Sequence, residues 1–126
     1  MNKKLQLITQ KVETIRHGLL RINGGAGQHT QVSTSIDSDN QLNCIIKDEN
    51  ADNKLLNRQV SLIQKNNNDY LYISGRVNDE VKSKCKVVSF KIVKACWFTR
   101  KQKGTAVWLQ EKYIYECPDK EIIKAS

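Results

Sequence analysis

The sequence predicts a mainly β domain with one N-terminal helix, and three stretches carry that prediction. Residues 60–77, VSLIQKNNNDYLYISGRV, read as two strands around a polar turn. Val60, Leu62 and Gln64 alternate with Ser61, Ile63 and Lys65 in the first strand. Leu71, Ile73, Gly75 and Val77 alternate with Tyr70, Tyr72, Ser74 and Arg76 in the second. Side chains on a strand point to opposite faces in turn, so one row of each can be buried. Residues 66–69 supply the asparagines and aspartate that tolerate turn conformations. Leu5, Ile8, Val12, Ile15 and Leu19 recur at spacings of three and four, the signature of one helix face. Residues 105–115, TAVWLQEKYIY, are aromatic and β-branched enough for a closing strand.

The helix runs from about residue 3 to 17, with Asn2 able to cap its start and Gly18 a natural stop. A short strand follows over residues 18–22. Three glycines within residues 23–27 then make a turn or bulge, because glycine permits positive φ at little steric cost. They lack the lysine and hydroxyl of a phosphate-binding P-loop. Residues 28–36 and 41–47 form a hairpin around Asp37 to Asn40, with His29, Gln31, Ser33 and Ser35 on a polar row. Residues 48–57 have helical character, with acids at the start where the helix dipole favours them. Val81, Cys85, Val88 and Ile92 sit at helical spacing and favour a helix over about 79–86, although VVSFKIV within the same region is rich in β-formers. Trp97 and Phe98 precede a basic turn over residues 100–104, and Pro118 ends the last strand ahead of a loosely held tail.

A chain of 126 residues suits a single domain with a real core. No apolar run reaches the length of a bilayer span, and the start is too interrupted for a secretory signal, so a cytoplasmic location is expected. Cys44, Cys85, Cys96 and Cys117 lie far apart without metal-ligand spacing and read as small hydrophobes; no metal site is expected. The net charge is +8. Lys82, Lys84, Lys86, Lys91, Lys94, Arg100, Lys101 and Lys103 follow one another with no intervening acid, a run that could be a solvated face or attract a polyanion.

In this order the elements resemble the split barrels related to pyridoxamine 5'-phosphate oxidase, in particular their small general-stress-protein branch. The likeness rests on VSLIQKNNNDYLYISGRV, on DNKLLNRQ before it, and on KACWFT before the final strand. It implies a six-stranded antiparallel split β-barrel with an N-terminal helix and short connecting helices, pairing as a homodimer and holding FMN. His29, Thr30 and Gln31 match positions that contact the isoalloxazine or ribityl chain. Lys47 and Lys54 match the phosphate region, and Trp97 matches an aromatic near the partner subunit's site. The chain departs from the family where GQHTQV replaces an arginine-and-proline pattern, and at Ile46-Lys47-Asp48.

Three functions follow as expectations. The first is an FMN-dependent, oxidoreductase-like protein acting on a small molecule, with no protein nucleophile required. The second is a flavin- or haem-binding sensor without turnover. The third is a basic small barrel binding oligonucleotides through the lysine run with Tyr70 and Tyr72.

Overall fold

One long strand, β5 (Asp69–Lys82), is bonded to three others, and the barrel follows from that. The computed structural model describes residues 3–22, 29–46 and 54–117. Its elements are α1 (Lys3–Ile15), β1 (His17–Ile22), β2 (His29–Ile36), β3 (Gln41–Ile46), β4 (Gln59–Asn66), β5, β6 (Lys86–Lys91), β7 (Lys94–Lys103) and β8 (Ala106–Glu116). All strand pairings are antiparallel. Following them from β1 through β2, β3, β6, β5 and β4 returns to β1, so six strands close a barrel. Strands β7 and β8 lie outside that ring as a long hairpin.

Along one edge β5 pairs with β4. Along the other it pairs first with β7, from Asp69 to Ser74, and then with β6, from Val77 to Lys82. The changeover falls at Gly75, with a register shift between Val77 and Asp79. A Cβ on Gly75 would press into the Lys91 carbonyl oxygen and lie 2.5 Å from Phe90 Cδ2. The residue is glycine because two strands and a phenyl ring meet over it. Gly18 answers to the same constraint: a Cβ there would stand 2.8 Å from the Ile63 carbonyl oxygen.

Period-two patterning divides inside from outside. Leu20, Leu62, Ile73, Ala95 and Tyr115 occupy one inward ladder, each opposite the next, and all are buried. Gln64 also points inward and is fully buried. Its Nε2 donates to the His17 carbonyl at 2.9 Å and to Thr34 Oγ1 at 3.0 Å, while its Oε1 has no partner among the described residues.

Both ends of the barrel are plugged. At one end α1 places Ile8, Val12 and Ile15 in the core. It stops at Arg16, which takes a left-handed φ of 66° and passes its carbonyl to the Thr34 amide at 2.8 Å. Gly18, expected as the stop, belongs instead to β1. At the other end Leu55 inserts, and the Glu80 carboxylate accepts the Leu55 and Leu56 amides, each at 3.0 Å. Lys86 Nζ sits 2.7 Å from the other Glu80 oxygen and is only 6% exposed.

Several expected elements take another form. The expected helix over 79–86 is the end of β5, a bend and the start of β6. The sixth barrel strand is therefore Lys86–Lys91, and residues 105–115 belong to the outer hairpin. The expected basic turn is the distal half of β7, with the turn itself at Gly104 and Thr105. No short connecting helix occurs among the described residues. The described end of the expected 48–57 helix is turn, and its start lies outside the described residues, as do Asn2, the turn over 23–27 and the tail from Pro118.

Gly75→Ala is expected to lower unfolding free energy in urea by about 1–3 kcal/mol or more, the scale of overpacking a filled core. A second prediction concerns Glu80. Burial pushes its pKa up, but hydrogen bonds from Lys86, Leu55 and Leu56 and the Lys86 charge outweigh that and hold it below the ordinary 4.5. A depressed carboxylate stabilises the fold above its unfolded pKa and loses that contribution as pH falls through the folded one. Urea midpoints measured from neutral pH downward should thus fall below about pH 4.5, and less steeply in Glu80→Gln, whose starting stability is already lower.

Candidate functional site

The residues singled out in the sequence divide between two faces of the sheet. His29 and Gln31 point outward from β2, opposite Arg21 and Leu19 of β1. Thr30 lies between them on the inward row, opposite buried Leu20. Lys54 is exposed, beside the plug formed by Leu55, and Lys47 lies outside the described residues. Trp97 is on the inward row of β7, and the path from β2 to β7 crosses β1, β4 and β5.

The outward face that carries His29 and Gln31 is ordered into two adjacent ladders. In the first, Gln31, Leu19, Ile63, Tyr72, Cys96 and Ile114 stand successively opposite one another across β2, β1, β4, β5, β7 and β8. Five of the six are apolar or aromatic, and Leu19 and Tyr72 are exposed. Two residues along each strand runs the second ladder: His29, Arg21, Ser61, Ser74, Lys94 and Glu116. The two ladders are linked where Ser61 Oγ and the Tyr72 hydroxyl share a hydrogen bond of 2.9 Å. Arg21 was not singled out from sequence; the outward phase of β1, set by Leu20 facing in, is the signal that would have found it. An apolar strip bordered by a guanidinium and an imidazole can receive a planar ring on one side and an anion on the other.

Trp97 has a different setting. It is 9% exposed, and its indole N–H donates to Asp69 Oδ1 at 3.2 Å. Thr99 Oγ1 donates to the same oxygen at 3.2 Å, and Lys11 of α1 pairs with the other at 2.7 Å. The Lys11 and Lys112 ammoniums stand 5.2 and 4.6 Å from the ring centroid, and Tyr113 packs at 5.5 Å. Burial pushes the Asp69 pKa up, but these hydrogen bonds and the Lys11 charge outweigh it and hold the carboxyl below the ordinary range. Asp69, unmarked by any local motif, thus ties α1 to β5 and β7. Cys44, Cys96 and Cys117 are buried and in no disulfide, and burial pushes the Cys44 thiol up to about 12.

The basic run of the sequence does not stay together. Lys82 and Lys84 lie at the tip joining β5 to β6, whereas β7 continues past Asp69 at the opposite end of β5 and carries Arg100, Lys101 and Lys103 there. Lys86 is buried against Glu80 and Lys94 pairs with Glu116 at 3.7 Å. Among the described residues no helix is long and apolar enough to cross a membrane.

No family model matches the chain, and no curated protein matches it. A solved structure superposes with a TM-score of 0.56 at 14% identity, over 88% of this chain and 95% of its own length. At that identity the likeness concerns the fold alone.

Asp69→Ala should cost about 1.5–3 kcal/mol in urea unfolding, the scale of a charge-assisted hydrogen bond. It should also shift the Trp97 contribution to the emission spectrum, whereas an unchanged spectrum and midpoint would remove Asp69 as the tie between α1 and the strands.

Proposed function

We propose that the chain is an FMN-binding split-barrel protein that works as a homodimer, with the flavin against the outward face of β1, β2, β4 and β5. The observation that supports this reading is the pair of adjacent ladders on that face. Leu19, Ile63 and Tyr72 supply an apolar wall, and His29 and Gln31 supply directed hydrogen-bonding groups beside it, while buried Ser61 holds the Tyr72 hydroxyl. Arg21 and Arg76, both exposed and outward, are the cations fit for a dianionic phosphate. The expected set is thereby amended: Thr30 faces inward and Trp97 is engaged with Asp69, while His29 and Gln31 keep their assigned role.

Bound flavin would supply the electron chemistry itself. The protein's share is to bind and orient the ring, exclude water from one side of it and hold the phosphate. The same face supports pairing of two copies, because the apolar ladder continues past Tyr72 through Cys96 to Ile114, with Phe98 alongside. A second copy would bury that continuation and with it the outer side of Tyr72, which is otherwise exposed.

The test is a visible spectrum of freshly purified protein, followed by titration of the flavin-free form with FMN under fluorescence. Quenching with saturation is expected, and Arg21→Ala should weaken binding roughly ten- to hundredfold, the equivalent of one charge-assisted hydrogen bond. Light scattering should report a dimer that Tyr72→Lys dissociates. A colourless protein whose titration is flat would sink the flavin reading, and a monomer would sink the pairing.

A further inference from the structure

Beyond residue 99 the β7–β8 hairpin leaves the sheet. The Arg100 amide still donates to the Asn68 carbonyl at 2.7 Å, but Lys101 to Lys103 of β7 pair only with β8 among the described residues, and residues 101–112 are all exposed. Such a ribbon would ordinarily be short and polar. This one carries Val107, Trp108 and Leu109 at 50%, 46% and 54% exposure.

Its two faces differ in charge. Lys101 stands opposite Trp108, Lys103 opposite Ala106, and Thr99 opposite Gln110. These residues continue the row of Trp97, and Lys112 joins them, with its ammonium over the Trp97 ring. Asp69 is the acid beside this row, and it is already engaged by Lys11, Trp97 and Thr99. The opposite face is balanced: it holds Arg100 and Glu111 with Gln102, Val107, Leu109 and Phe98. Charge and the exposed indole are therefore sorted onto the same side. Residues two apart on a strand lie about 7 Å from each other, so Lys101 and Lys103 form a short cationic line beside the indole.

We infer that this face of the ribbon binds single-stranded nucleic acid, a base stacking on Trp108 and successive phosphates meeting Lys101 and Lys103, with Lys112 on the approach to the barrel. Aromatic stacking tolerates any base and lysines follow the backbone, so the contact is sequence-tolerant and salt-sensitive. A membrane surface fits less well, because inserted apolar groups would then be ringed by cations, and here Val107 and Leu109 point away from the lysines. The inference does not depend on the flavin reading, since the two use opposite faces of the sheet.

The test is fluorescence anisotropy of labelled oligothymidylate and oligouridylate with the full chain over a salt series, beside sedimentation with phosphatidylserine vesicles. Trp108→Ala should weaken binding roughly ten- to hundredfold, the loss of one base stack. Lys101→Ala with Lys103→Ala should lower the slope of log affinity against log salt by about 1.4, ~0.7 for each phosphate contact. Lys82→Ala with Lys84→Ala, at the far end of β5, should leave both unchanged. Flat anisotropy, equal loss in that far-end control, or binding to vesicles but not to oligonucleotide would overturn the assignment. All these side chains are exposed, and an unchanged melting curve shows that each variant folds.

Discussion

Everything in this fold depends on β5 having to satisfy three neighbours with two edges. One edge is given to β4 from Asp69 to Arg76, and the other is shared end to end between β7 and β6. Where the second edge changes hands, the partner backbones converge and only a residue without a side chain fits, hence Gly75 under Phe90 and Lys91. The sharing also explains why the molecule has an outside hairpin at all. Once β6 has closed the ring, β7 can only continue the sheet away from it, and β8 follows. The barrel and the ribbon are two results of one crowded strand.

A closed barrel leaves no strand edges within the ring but still has two open ends, and the chain treats them differently. One end receives the apolar face of a helix, fixed at its margin by the Lys11–Asp69 pair. The other receives a single leucine on an irregular segment, whose amides would be unsatisfied without a carboxylate facing them. Glu80 supplies that carboxylate and Lys86 balances its charge. Inside, Gln64 holds two partners at the junction of β1, β2 and β4. A slip of β4 by one position would put Lys65 where the amide now sits, so this residue helps to set the register.

The features legible in the sequence were those with a local period. The stripe from Leu5 to Ile15, the alternation through residues 60–77 and the β-rich final strand appear where expected, while Leu19, expected on the same helix face, stands outward and exposed on β1. Val81, Cys85, Val88 and Ile92 misled because spacings of four, three and four suit a helix, while Val88 and Ile92 are buried for β reasons and Val81 is exposed. Strands β5 and β6 meet there as a hairpin, and the adjacent VVSFKIV was the better guide. The candidate site was legible only in part. Outward placement of His29 and Gln31 follows from alternation, but their neighbours Arg21, Ser61 and Tyr72 come from other strands, and no spacing in the chain reveals register between strands far apart. The partnership of Trp97 with Asp69 was hidden for the same reason.

The same long-range register has a kinetic side. Closure needs β1 against β4 and β3 against β6, which join Leu20 to Leu62 and Leu42 to Phe90, each pair more than forty positions apart. Contacts between such distant residues must be reached before they stabilise anything, which slows folding relative to a helical chain of similar size. The β4–β5 hairpin, turning through two asparagines, and the β2–β3 and β5–β6 hairpins are the parts of the ring able to form from local sequence. During synthesis β7 and β8 emerge after the last strand of the ring, so the ring can close before its outer edge is complete. The late-arriving ribbon can therefore vary in length and composition with little effect on the order in which the barrel assembles.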